Sequence, residues 1–165
     1  MIDSLSVTLP LGLLVLDAAD QAARGASLDE IVAATADTAT RLDIIFTLDT
    51  LEHLKKGGRI GSAQAVLGSM LSIKPMLSLQ DGVVHEAGRQ RTRAKSLDFL
   101  VKAATEAAPF ERLAIVNGAA PDVAYVTEKL AALESDVPLV SGDVGPVVGT
   151  HSGPGVIGVC WIRKA

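Results

Sequence analysis

Residues 73–86 of the chain read Ile73-Lys74-Pro75-Met76-Leu77-Ser78-Leu79-Gln80-Asp81-Gly82-Val83-Val84-His85-Glu86. Two apolar runs flank the pair Asp81-Gly82, which readily adopts the positive φ angles of a type I′ turn. We therefore predict a β-hairpin with strands over Ile73–Leu79 and Val83–Glu86.

Helical and strand patterns alternate along the rest of the chain. Apolar spacing predicts a helix from Leu11 to Ala23 that stops at Gly25, and Ser27 with Glu30 forms a capping-box pattern for a second helix. Strand patterns at 43–48, 113–116 and 156–162 alternate with helical patterns at 51–56, 63–71, 96–107 and 122–133. This order predicts a layered α/β fold, and the antiparallel hairpin makes its sheet mixed.

The composition bounds the class of protein. The chain has 165 residues, 48% of them hydrophobic, and a mean hydropathy of +0.36, which suits a sizeable core and excludes a disordered chain. Pro10 and Gly12 interrupt the apolar run at 9–16, so we expect no membrane insertion. The single Cys160 excludes an internal disulfide and fits a reducing cytoplasm, where we expect the protein to reside. Three scattered histidines without paired spacing predict no metal site.

Charge is distributed unevenly. The net charge is −4, yet the stretch Glu52–Lys102 holds nine basic and four acidic residues. The overall balance predicts no affinity for nucleic acid. The basic middle is consistent with a docking patch for an anionic partner, or with a solvated face that balances the acidic helices.

Three segments combine glycine, histidine and basic residues at short spacing. They are Leu48-Asp-Thr-Leu-Glu-His-Leu-Lys-Lys-Gly-Gly-Arg-Ile-Gly61, Leu71-Ser-Ile-Lys-Pro-Met-Leu77 and Gly149-Thr-His-Ser-Gly-Pro-Gly155. In this order they resemble the carboxy-terminal part of the DegV family of bacterial fatty-acid-binding proteins. Asp3-Ser4 and the segment 12–16 resemble that family's mid-chain region, so the resemblance covers nearly the whole chain.

The resemblance implies a two-lobe α/β protein that sequesters one long-chain fatty acid between its lobes. Members present the fatty acid to a fatty-acid kinase and are carriers without a cofactor, not catalysts. On this basis residues 1–40 are a helical remnant of the amino-terminal lobe and residues 41–165 are the carboxy-terminal lobe. Because the hydroxyl-bearing loops of the first lobe are absent, we expect a fragment, an engineered piece or one half of a split protein.

The resemblance also assigns residues to the site. It places His151 on the fatty-acid carboxylate, and Thr150, Ser152 and Gly153 in the same glycine-rich loop offer further hydroxyl and backbone donors. Candidate walls for the acyl chain are apolar and adaptable, although plain core positions are an equally good interpretation: Leu67, Met70, Leu71, Met76 and Leu77. Arginines of the kinase-facing surface are Arg59 and Arg91, with Arg89 and Arg93 as weaker candidates.

Two other functions fit the same residues. The first is an acyl hydrolase or transferase that uses His151 as base, with Ser152 as the one nearby nucleophile in the chain. The second is a protein-interaction module that binds through Arg59 and Arg91. If the chain is instead one lobe of the carrier, its aliphatic composition leads us to expect exposed apolar surface and self-association, because the acyl chain and the other lobe would cover that surface.

Overall fold

The computed structural model of the protein describes residues 1–69, 73–133 and 137–165. Its helices are α1 (Thr8–Ala23), α2 (Leu28–Thr40), α3 (Glu52–Lys56), α4 (Arg93–Ala107), α5 (Val123–Ala131) and α6 (Pro146–Ser152), with a 3₁₀ helix at Gly61–Ser69. Its strands are β1 (Leu42–Thr47), β2 (Lys74–Gln80), β3 (Val83–Gln90), β4 (Phe110–Gly118), β5 (Leu139–Asp143) and β6 (Val156–Arg163).

The strands form one mixed sheet in the order β3-β2-β1-β6-β4-β5, which confirms the predicted α/β class. β4 and β5 are parallel, whereas the other neighbours are antiparallel. The hairpin between β2 and β3 turns at Asp81 and Gly82, whose φ angles of 50° and 75° are those of the predicted type I′ turn. The capping box at Ser27 and Glu30 is also present, at the start of α2.

Residues 139–152 differ from the sequence prediction, which placed no strand or helix between Pro138 and Val156. β5 and α6 lie there, so the predicted glycine-rich loop is in part a helix. β5 has only five residues and contains Ser141, Gly142 and Asp143, which are poor strand formers. Its pairing with β4 therefore stabilises a strand that local propensity does not favour.

Apolar side chains fill both faces of the sheet. On one face α4 and α5 cover a cluster that includes Leu100, Ile115 and Trp161. On the other, Leu13 and Leu14 of α1 pack against a cluster on β1, β4 and β6. The segment 1–40 thus packs on the same sheet, while its assignment to a separate lobe stays a prediction.

The single thiol is part of the second cluster. Cys160 is buried, and this burial raises the pKa of its thiol to about 12. The thiolate is therefore scarce at neutral pH, as is usual for a cysteine buried among apolar side chains.

An ion pair connects the start of α4 to the start of α5. Arg93, the first residue of α4, donates two hydrogen bonds of 2.8 Å to the carboxylate of Asp122, which precedes α5. The same guanidinium lies 3.5 Å from Asp49, after β1. The hydrogen bond from Arg93 lowers the pKa of Asp122 below its ordinary value of 3.8.

We expect Asp122→Asn to destabilise the fold by about 1 kcal/mol at pH 7, because it removes the charge-assisted pair from a half-buried position. A carboxyl whose pKa is lowered by folding stabilises the protein above its unfolded pKa and loses this effect as the pH falls through the folded value. The difference between wild type and variant should therefore shrink below pH 3.8. Urea denaturation at pH 7 and at about pH 3 measures it; an equal penalty at both would contradict the assignment.

Candidate functional site

A cavity of about 620 Å³ opens on the α1 side of the sheet. Its floor is made of strand side chains, and the surrounding helices and the first residues of the chain form its rim. The apolar residues of the floor are Ile44, Phe46, Leu79, Val84, Val116 and Val156. These residues make most of the interior apolar, which is the setting that an aliphatic ligand requires.

Polar groups lie on the rim of the cavity. His151 and Ser152 come from the end of α6, and Arg59 from the turn after α3. Asp3 and Ser6 belong to the amino-terminal segment that lines another part of the rim. An apolar interior with a few directed polar groups can hold an amphiphile by both of its parts.

His151 belongs to the last turn of α6, and its Nδ1 atom is buried with no hydrogen-bond partner among the described residues. The imidazole packs directly on Gly57, since a Cβ built there would lie 2.1 Å from Nδ1. The ring also lines the cavity. Because Nδ1 faces the backbone of Gly57, a ligand in the cavity would meet the other ring nitrogen, Nε2.

The other predicted head-group residues divide between the site and the local backbone. Ser152 is buried and lines the cavity, although its Oγ donates to the carbonyl of Gly153 at 3.3 Å. The hydroxyl of Thr150 is exposed and donates to the carbonyl of Pro146 at 2.8 Å, so it satisfies the helix rather than the cavity. Gly153 ends α6 with a φ of 74°, a left-handed conformation that favours glycine.

The predicted acyl-chain walls do not form the lining of this cavity as far as the structure describes them. The side chain of Leu67, and residues Met70 and Leu71, lie outside the described residues. Met76 is fully buried under α4, on the opposite face of the sheet. Leu77 is paired across the strands with Phe46 and lies on the same face of the sheet as the cavity. It is nevertheless fully buried in an apolar cluster.

Strand residues that the sequence analysis did not name line this cavity. Ile44 and Phe46 of β1 and Val116 of β4 point into the cavity. The runs 44–46 and 113–116 are continuously apolar, so they predict buried strands without distinguishing one face of the sheet from the other. Which face is left open by the helices is a tertiary property that the strand pattern alone does not carry.

The four arginines have different surroundings. Arg59 is exposed at the rim and donates to the carbonyl of Gly57 at 3.2 Å. Arg91 is exposed and, among the described residues, has no ion-pair partner within 4.0 Å. Arg89 pairs with Glu86, and Arg93 pairs with Asp122, so these two guanidinium groups are already engaged.

No group of three His, Cys, Asp or Glu side chains in the described part of the chain is arranged to hold a metal ion. None of the described helices has the length and apolar content needed to cross a bilayer.

Comparison with known proteins identifies the family of the chain and agrees with its fold. The model of the family described as "Uncharacterised protein, DegV family" matches residues 1–164. A DegV domain-containing protein of Streptomyces coelicolor is 37% identical over 96% of this chain and 58% of its own length. The solved structure of a fatty-acid-binding DegV family protein from Thermus thermophilus superposes with a TM-score of 0.91 at 32% identity, over 99% of this chain and 60% of that one.

A second solved structure is similar: DegV from Bacillus subtilis, described as a fatty acid binding protein, has a TM-score of 0.81 at 32% identity. It is matched over 99% of this chain and 60% of its own. The chain thus spans about three fifths of the length of these relatives.

We expect Gly57→Ala to destabilise the protein by about 1–3 kcal/mol, since the new methyl group would overlap the imidazole of His151. Gly149→Ala, one turn before the end of α6, is the matched control. A Cβ there meets only Val144 Cγ1 at 4.0 Å, so this change should be neutral or stabilise the helix by up to about 1 kcal/mol. Thermal denaturation measures both variants; equal melting temperatures would refute the contact.

Proposed function

We propose that this chain, which belongs to the DegV family, is a non-catalytic carrier of a long-chain fatty acid. The observation that carries the proposal is the apolar cavity with His151 on its rim. Relatives of the same fold at 32% identity bind fatty acids. A bacterial cytoplasm, where a fatty-acid kinase would meet the carrier, is the compartment that we propose.

The acyl chain would lie on the floor formed by Ile44, Phe46 and Val116. Each buried methylene is worth about 0.8 kcal/mol, so ten of them would contribute roughly 8 kcal/mol before the costs of association. The volume of about 620 Å³ lies within the usual range of ligand cavities. Affinity would therefore come mainly from the tail.

The carboxylate would lie at the rim, against Nε2 of His151. Burying an ionised carboxylate is costly unless donors replace its water. His151 supplies one donor, the cation of Arg59 lines the same cavity, and Ser152 lies next to His151 along α6. Thr150 could join only by giving up its hydrogen bond to Pro146.

A hydrolase or acyltransferase has weaker support than a carrier. Ser152 is the nucleophile that such an enzyme would need, and activation requires a hydrogen bond from its hydroxyl to a base. Within the described residues its Oγ donates to the carbonyl of Gly153 and not to His151. The carrier makes use of the cavity and of His151 without this missing contact.

Presentation of the carboxylate to a fatty-acid kinase is the second part of the proposal. Arg59 and Arg91 are exposed, while Arg89 and Arg93 are held by Glu86 and Asp122. Guanidinium groups that have no carboxylate partner of their own are suited to pair with carboxylates of a partner protein. Arg59 also touches the cavity, so the partner would bind beside the head group.

His151→Ala should weaken the binding of palmitate by about tenfold or more, because a hydrogen bond to a charged group is lost. Binding of 1-hexadecanol, which has the same tail and no charge, should change by less than about twofold. Competition against a fluorescent fatty acid measures both ligands. The control is His85→Ala on β3, whose ring hydrogen-bonds Ser62 at 3.2 Å; equal losses of palmitate and alcohol in His151→Ala would count against a head-group role.

Charge reversal at Arg59 and Arg91 tests the docking surface. Arg59→Glu and Arg91→Glu should each slow association with a bacterial fatty-acid kinase, by about tenfold at low salt and less at high salt. Arg24→Glu, at the end of α1, is the matched control. Surface plasmon resonance measures the rates. Binding that is equally strong with lipid-stripped protein would favour the interaction module instead of the carrier.

A further inference from the structure

Two of the three histidines lie on neighbouring helices, and each packs against the end of the other's helix. His53 lies on α3 and contacts Gly153, the residue at which α6 ends. His151 lies on α6 and contacts Gly57, the residue at which α3 ends. We call these two contacts the crossed histidine–glycine pair.

Both contacts are too close for any residue but glycine. A Cβ on Gly153 would lie 2.5 Å from Cδ2 and 2.9 Å from Nε2 of His53. A Cβ on Gly57 would lie 2.1 Å from Nδ1 of His151. Each imidazole therefore packs directly against the backbone of a glycine and limits the movement of the helix end that this glycine terminates.

The backbone that follows His151 is also fixed at Gly155, which contacts β4 and Asp49. The N–H of Gly155 donates to the carbonyl of Gly118 at 2.7 Å, and a Cβ on Gly155 would lie 2.2 Å from Oδ2 of Asp49. Gly153 lies between this anchor and α6, and His53 is the side chain nearest to a Cβ placed there. The position of His53 thus determines where the end of α6 can lie.

We propose that His53 is a positioning residue for the carboxylate site. His53 does not line the cavity, in the part of the chain that the structure describes. It acts by fixing Gly153, so that His151, two residues earlier, keeps its place among the residues that line the cavity. This inference rests on the proposed function, since it gives His53 a role in orienting the group that meets the carboxylate.

The test compares His53→Ala, which removes the ring, with His53→Phe, which keeps a flat ring on Gly153. His53→Ala should weaken palmitate binding about tenfold and change 1-hexadecanol binding by less than about twofold. His53→Phe should restore most of the palmitate affinity. The His151 ring resonances in a ¹H–¹³C NMR spectrum should shift in His53→Ala and return toward wild type in His53→Phe.

Other results overturn the proposal. It fails if the His151 resonances of folded His53→Ala coincide with those of wild type, or if His53→Phe binds palmitate as weakly as His53→Ala. If the wild-type chain binds no palmitate, the proposed function fails, while the NMR comparison still decides whether His53 positions His151. Should His53→Ala unfold, His53→Leu replaces it, with the same outcomes.

Discussion

β6 is hydrogen-bonded to β1 on one side and to β4 on the other, and seven of its eight residues are buried. Its side chains alternate between the two apolar clusters of the sheet, so the helices on both faces pack against this one strand. The strand begins at Val156, directly after the turn that follows α6. The rim of the cavity is therefore tied covalently to the most constrained element of the core.

This connection explains how a short helix can hold a histidine in place. α6 has seven residues and no side-chain cap at its start, so it has little stability of its own. Its end is fixed by Gly155, bonded to β4, and by the contacts of Gly153 and Gly57 with the two histidines. Glycine here lets another residue approach the backbone closely, and an alanine at Gly57, Gly153 or Gly155 would separate α6 from its supports.

The sequence was informative wherever local chemistry decides the structure. Asp81-Gly82 fixed the hairpin, and Ser27 with Glu30 the start of α2, because a turn type and a helix cap depend on neighbouring residues. β5 and α6 were missed, since both depend on partners far along the chain. Met76 and Leu77 show the same limit: their alternation places them on opposite faces, but neither pattern says which face the cavity takes.

The apolar rim of the cavity connects composition to function. Val147 is 76% exposed there, and Leu5 and Val7 are about half exposed, although all three line the cavity. Covering such side chains is favourable, whether the cover is an acyl chain or another protein surface. His151 and Arg59 lie on the same rim, so a ligand that covered the apolar part would bring its end to these donors. The exposed apolar residues of the rim contribute to the mean hydropathy of +0.36, and the proposed fatty acid would cover them while its carboxylate reached the donors.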